Sequence, residues 1–149
     1  MTPLCDYAIA KHFPDINIYD EDPYEELYKR IVKASAELVA HWQASGYVHG
    51  VLNTDNMSLG GITIDYGPFG FIDYFSKDYV SNATDEHERY SYRRQPSIVE
   101  WNLRQLAYAM DSLYPSYLLE EYLKEHYFTF FNNKYYELMT SKLGIKNIA

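Results

Sequence analysis

Between Tyr24 and Ser45, Tyr24, Leu27, Ile31, Leu38 and Trp42 recur at helical spacing, and Tyr28, Ala34, Ser35 and Val39 widen the stripe. The pattern predicts an amphipathic helix. Asp22 stands at its N-cap, Pro23 at the first helical position, and Glu25 and Glu26 in the first turn, where the helix dipole favours negative charge. Gly46 is the natural stop. Upstream, residues 4–13 predict a short helix ended by Pro14, followed by an acidic, exposed linker from Asp15 to Asp22.

From Tyr47 to Arg94 the helical periodicity disappears, and this stretch holds five of the seven glycines. Two short apolar patches, Ile62–Ile64 and Phe69–Ile72, predict strands, punctuated by Gly67-Pro68 and Gly70. Helical spacing returns at Pro96 with Ile98, Trp101, Leu106 and Met110, up to a break at Pro115. A longer helix is predicted from Tyr117 to Leu143, stopped by Gly144. It carries Tyr122, Tyr127, Phe128, Phe130, Phe131, Tyr135 and Tyr136, and rings on so many sides predict burial on more than one face. The expected class is α+β and mostly helical. One partial domain, residues 1–149, would divide into an N-terminal segment (1–23), a helix leading to a loop (24–46), a loop region (47–94) and C-terminal helices (95–149).

Composition narrows the function classes. With 47% hydrophobic and 23% charged residues the chain is ordinary globular material, not a disordered tail or a rod. One cysteine, Cys5, excludes a disulfide framework and a cysteine-based zinc site. No apolar run is long enough for a membrane span, and the start MTPLCDYAIA lacks the pattern of a secretory signal. The net charge of −8 argues against a nucleic-acid backbone binder. His12, His41, His49, His87 and His126 show no metal-ligand spacing, and His49 is expected to brace its loop. Arg89, Arg93 and Arg94 fit either a solvated salt-bridged face or an anion site.

The residues with candidate chemistry lie in His49-Gly-Val-Leu-Asn-Thr-Asp-Asn56, followed by Asp65-Tyr66-Gly67. Laid over the protein-kinase pattern H-R-D-L-x-x-x-N and D-F-G, His49, Leu52 and Asn56 fall on the His, Leu and metal-binding Asn, and Asp65 on the second metal ligand. An amide oxygen and a carboxylate suit Mg²⁺, which takes oxygen ligands and usually shares them with phosphates and water. Val51 stands where a kinase has its proton-accepting Asp, so ordinary phosphoryl transfer loses its base; Asp55 is the nearest replacement. The competing reading is that Asn53-Thr-Asp-Asn56 and Asp-Tyr-Gly are plain polar turns, in an inactive kinase-like remnant that binds a protein partner.

The stretches His49 to Ser58 and Thr63 to Phe71 closely resemble the selenoprotein O family, as do Arg89-Tyr90, Gln95-Pro96, Trp101-Asn102-Leu103 and Lys142-Leu143-Gly144. Asp6-Tyr7 and His12-Phe13-Pro14 resemble it too. The resemblance implies a pseudokinase fold, of which this chain is the C-lobe without the N-lobe. It further implies magnesium-dependent transfer of AMP from ATP to Ser, Thr or Tyr hydroxyls of proteins. By resemblance Asp55 is the proton acceptor, Asn56 and Asp65 are the magnesium ligands, and Asp65 also lies against the nucleotide. Gly60 departs from an aliphatic position of the family and Glu88 from a common Gly. The family implies a mitochondrial location if the source is eukaryotic and cytoplasm if bacterial, while the acidic charge and the lack of a long apolar run predict no nucleic-acid or membrane partner.

Overall fold

The structure, a computed structural model, describes residues 1–145, so the last four residues of the expected domain lie outside the description. Four helices and one small sheet follow in order: α1 (Thr2–His12), α2 (Pro23–Ser45), β1 (Tyr47–Val48), β2 (Gly70–Phe71), α3 (Gln95–Ala109) and α4 (Ser116–Lys142). The class is α+β and mostly helical, as expected. No helix among the described residues is long and apolar enough to cross a membrane.

Helix α2 is the axis on which the other elements pack. Its apolar stripe becomes a buried seam of Leu27, Tyr28, Ile31, Val32, Ala36 and Val39, covered mainly by α4 and α3. Full burial of one such aliphatic side chain contributes roughly 1.5–3 kcal/mol. Two buried ring hydroxyls on these helices find partners: Tyr28 donates to the Leu103 carbonyl at 2.9 Å, and Tyr127 to the Pro96 carbonyl at 2.7 Å. Asp22 occupies the N-cap, but its side chain makes no capping hydrogen bond. Gly46 ends α2 at φ +71°, and its position is tight as well as left-handed, because a Cβ there would lie 2.7 Å from Ile72 Cγ1.

Three expectations are corrected. Ile62–Ile64 forms no strand. Its polar groups are taken by side chains instead, the Thr63 hydroxyl by Trp42 Nε1 at 2.9 Å and the Ile64 carbonyl by His49, and Ile62 faces solvent. The strand that pairs is Tyr47–Val48, antiparallel to Gly70–Phe71 with Tyr47 opposite Phe71, so the second apolar patch is a strand and the first is not. Helix α3 stops at Ala109, ahead of Pro115. Helix α4 is not buried on several faces. Only Leu119, Leu123 and Tyr127 of its described residues are buried, while Phe128 is 44% and Tyr136 64% exposed. Its outer rings cover one another instead, as in the Phe131–Tyr135 stack at 5.9 Å. Lys29 and Lys33 of α2 lie over Tyr122 and Phe130, 5.2 and 5.9 Å from the ring centroids.

Candidate active site

The loop after β1 is held by buried polar side chains rather than by regular structure. His49 is fully buried. Its main-chain N–H donates to Gln95 Oε1 at 2.9 Å, and its ring Nε2 lies 2.8 Å from the Ile64 carbonyl. The Val51 N–H points at the other ring nitrogen, Nδ1, at 3.3 Å. A carbonyl only accepts, so Nε2 carries the proton and Nδ1 is the acceptor: the ring is neutral. Burial pushes the imidazole below its ordinary pKa of 6.5, against the opposing pull of the Ile64 carbonyl and the Asp65 charge.

This ring connects the two expected metal ligands. On one side it grips the carbonyl of the residue before Asp65. On the other it takes the N–H of Val51, whose own carbonyl accepts Asn56 Nδ2 at 2.9 Å. With its nitrogen committed, Asn56 has its Oδ1 left over, and that oxygen makes no hydrogen bond among the described residues. The Asp65 carboxylate is exposed and likewise accepts none among them. Asp65 sits at φ +57°, a left-handed conformation costing a non-glycine residue roughly 1–2 kcal/mol, and its carbonyl takes the Gly67 N–H at 2.8 Å. Asp55 lies in the helical turn Thr54–Asn56 and is exposed. The half-buried Asn56 amide oxygen and the exposed Asp65 carboxylate are each an uncommitted hard oxygen donor, the ligand type magnesium takes alongside phosphate and water. Among the described residues, no three His, Cys, Asp or Glu side chains gather into a metal cluster.

Several supporting residues carried no assigned role in the sequence reading. Gln95 reaches Tyr47 O and Gln43 Oε1 through Nε2, each at 2.8 Å, while receiving the His49 N–H. Asn102 Nδ2 donates to the Leu52 carbonyl at 2.9 Å and lies 2.9 Å from Met57 Sδ. Tyr90 bonds through its hydroxyl to Asn53 Oδ1, and Asn82 Nδ2 reaches the Gly50 carbonyl at 3.3 Å. Glu88 adopts φ +53°, a left-handed conformation that glycine takes without strain. Of the three arginines, Arg93 pairs with Asp78 at 2.7 Å, and Arg89 lies over Trp101, 5.0 Å from the ring.

Beside Asp65 the rings of Tyr47, Tyr66, Phe69 and Phe71 cluster, with Tyr47 to Phe71 at 5.5 Å and Tyr47 to Tyr66 at 6.5 Å. With Trp42 and His41 they line an open groove of about 370 Å³. The Tyr47 phenol is pushed up to about 12 by burial first, then by Tyr66 and the Asp65 charge.

The family model of protein adenylyltransferase SelO matches residues 1–149. The chain belongs to the SelO family. It is 43% identical over 148 residues to the mitochondrial protein adenylyltransferase SelO of Mus musculus, covering 95% of this chain and 22% of that protein. To the protein nucleotidyltransferase YdiU of Herminiimonas arsenicoxydans it is 42% identical over 143 residues, 96% of this chain and 28% of the relative. The YdiU of Aliivibrio salmonicida is 44% identical over 142 residues, covering 95% of this chain and 29% of its own length. The chain therefore spans between a fifth and a third of these relatives.

Proposed function

We propose that this SelO-family chain is the kinase-like C-lobe of a nucleotidyltransferase that moves AMP from ATP to hydroxyl side chains of proteins. The observation that carries the reading is the bond from Asn56 Nδ2 to the Val51 carbonyl, which leaves the amide oxygen free while His49 ties the same loop to Asp65. Asn56 and Asp65 hold magnesium, and Asp65 lies against the nucleotide. The metal, when bound, neutralises phosphate charge. Asp55 accepts the proton of the incoming Ser, Thr or Tyr hydroxyl. The hydroxyl oxygen forms a bond to the α-phosphorus as the bond to the bridging oxygen breaks, and pyrophosphate leaves. Val51 contributes only its backbone, consistent with chemistry that does not use the kinase base.

The names of the relatives support this activity, and the mitochondrial names among them support a mitochondrial site in a eukaryote. A C-lobe alone offers few contacts to ATP, so calorimetry with Mg-ATP should give weak or no heat for this chain and strong binding for a longer family protein. In the longer protein, mass spectrometry after incubation with ATP should find an AMP adduct that Asp65→Ala abolishes. Label transferred from γ-labelled instead of α-labelled ATP would replace this reading with phosphotransfer based on Asp55. A stable, adduct-free protein complex would favour the inactive remnant, for which the exposed rings of α4 supply a surface.

A further inference from the structure

Arg30, Arg93 and Arg104 each pair with an Asp or Glu side chain. Arg89 does not. Its guanidinium forms no ion pair and no hydrogen bond among the described residues, although the chain carries 21 Asp and Glu against 13 Lys and Arg. It meets rings instead. Arg89 Cζ lies 5.0 Å from the Trp101 ring centroid and 5.7 Å from that of Tyr90, inside the roughly 6 Å at which a cation is drawn to a ring. A ring spends none of the N–H donors in the sense that an oxygen does. Arg94 has neither a carboxylate nor a ring among the described residues, so the pair of ring contacts sets Arg89 apart.

The backbone that carries Arg89 is fixed. Asp85 Oδ1 accepts the Arg89 N–H at 3.0 Å, and Asp85 Oδ2 accepts the Tyr90 N–H at 2.8 Å, so this carboxylate is committed to the main chain. The same segment is fastened to the candidate site. The Tyr90 hydroxyl donates to Asn53 Oδ1, two residues before Asp55, and Asn82 Nδ2 donates to the Gly50 carbonyl. Trp101 adjoins Asn102, which holds the Leu52 carbonyl of the same loop. Arg89 is exposed, and Trp101 is 40% exposed. An exposed guanidinium braced by rings, with its donors left over, is equipped to take a carboxylate in a two-pronged grip.

We propose that Arg89 recognises an Asp or Glu side chain of the acceptor protein, a few residues along its chain from the hydroxyl presented to Asp55. This rests on the nucleotidyltransferase reading. The segment carrying Arg89 reaches the loop at Gly50 and Asn53, ahead of Asp55, and not at Asp65, which assigns the guanidinium to the acceptor and not to the triphosphate. An extended chain advances about 3.3 Å per residue, so one short segment presents both the hydroxyl and the acidic side chain.

The test uses two synthetic peptides with a single Tyr, one flanked on both sides by Glu and the other by Gln at the same positions. Trp101 lies beside the guanidinium and Trp42 is buried, so tryptophan emission of this chain reports occupation of the site. The Glu peptide should bind roughly tenfold more tightly than the Gln peptide. Arg89→Gln should abolish the difference, and Arg89→Lys, which keeps the charge and loses the fork, should retain part of it. Equal affinities, no saturable change with either peptide up to millimolar concentration, or a preference that survives Arg89→Gln would overturn the proposal. The wild-type comparison decides whether or not the variants fold. With the longer family protein and α-labelled ATP, KM should be lower for the Glu peptide by a similar factor, and the matching Arg→Gln variant should close the gap. A raised KM for ATP in that variant, with the gap intact, would overturn the proposal. Selective binding of the Glu peptide together with no AMP transfer to any protein would remove the nucleotidyltransferase reading and leave Arg89 a carboxylate site.

Discussion

The loop from Tyr47 to Gly67 and helix α4 are secured in opposite ways. The loop has almost no regular structure, yet His49 and Gln95 are fully buried within it or beneath it, and the His49 N–H donates to Gln95 Oε1 over nearly fifty residues of sequence. Helix α4 runs for 27 residues and is crowded with rings, yet it is anchored through Leu119, Leu123 and Tyr127. Ring content therefore predicts attachment poorly here. A buried amide with several partners specifies one backbone path, because every alternative path leaves polar groups unpaired. A ring specifies only that some apolar surface be nearby.

The comparison is broken most severely by Gln95→Leu. It removes the acceptor of the His49 N–H and the donor to Tyr47 O, two buried groups, and should cost about 4 kcal/mol in denaturant unfolding, at 1–3 kcal/mol for each orphaned group. A result near zero would mean the loop is not held as described. Next comes Gly50→Ala. Gly50 has φ +88°, and its Cβ would stand 2.6 Å from the Pro68 carbonyl oxygen, a backbone atom that cannot swing aside. A loss of about 3 kcal/mol is expected in the same measurement, from left-handed strain plus overpacking.

On α4 the contrast sharpens between neighbours. Tyr127→Phe deletes the hydroxyl that donates to the Pro96 carbonyl and should cost about 1–2 kcal/mol by thermal unfolding. Phe128→Ala, although it removes a whole ring, should cost under about 1 kcal/mol because that ring is 44% exposed and the helix is anchored elsewhere. Equal losses would mean that α4 is covered on a second face.

The least disruptive probe is pH. The buried His49 imidazole titrates below its ordinary 6.5, so near and below that value the unfolded chain binds more protons than the folded one. Its contribution is fully present above pH 6.5 and is lost as pH falls through the folded-state value. The melting temperature should therefore drop on acidification from neutral pH, and His49→Gln should flatten that dependence. A drop unchanged in the variant would assign it to other groups.

How far the sequence could be read differs between the same two regions. The apolar stripe of α2, its opening Pro23 and its stop at Gly46 were legible because a helix is written in near-neighbour spacing. The order His49, Asp55, Asn56, Asp65 was legible as a motif, and the family match covers the residues that carry it. Gln95, Asn102 and Tyr90 were not legible as supports, because nothing local distinguishes a buried amide with distant partners from a surface one. The first apolar patch, Ile62–Ile64, failed as a strand because its carbonyls and hydroxyls were claimed by Trp42 and His49 from elsewhere in the chain.

The amino-acid sequence by itself determined the positions of the helices, the class of the fold and the family, since these rest on periodicity, punctuation and motif, all local in the chain. Only the tertiary structure decided which nitrogen of His49 is protonated, that the side-chain oxygen of Asn56 is left free, and which rings of α4 are wet. Those outcomes depend on hydrogen-bond partners and burial brought together from distant parts of the chain, and neither quantity exists until the chain has folded.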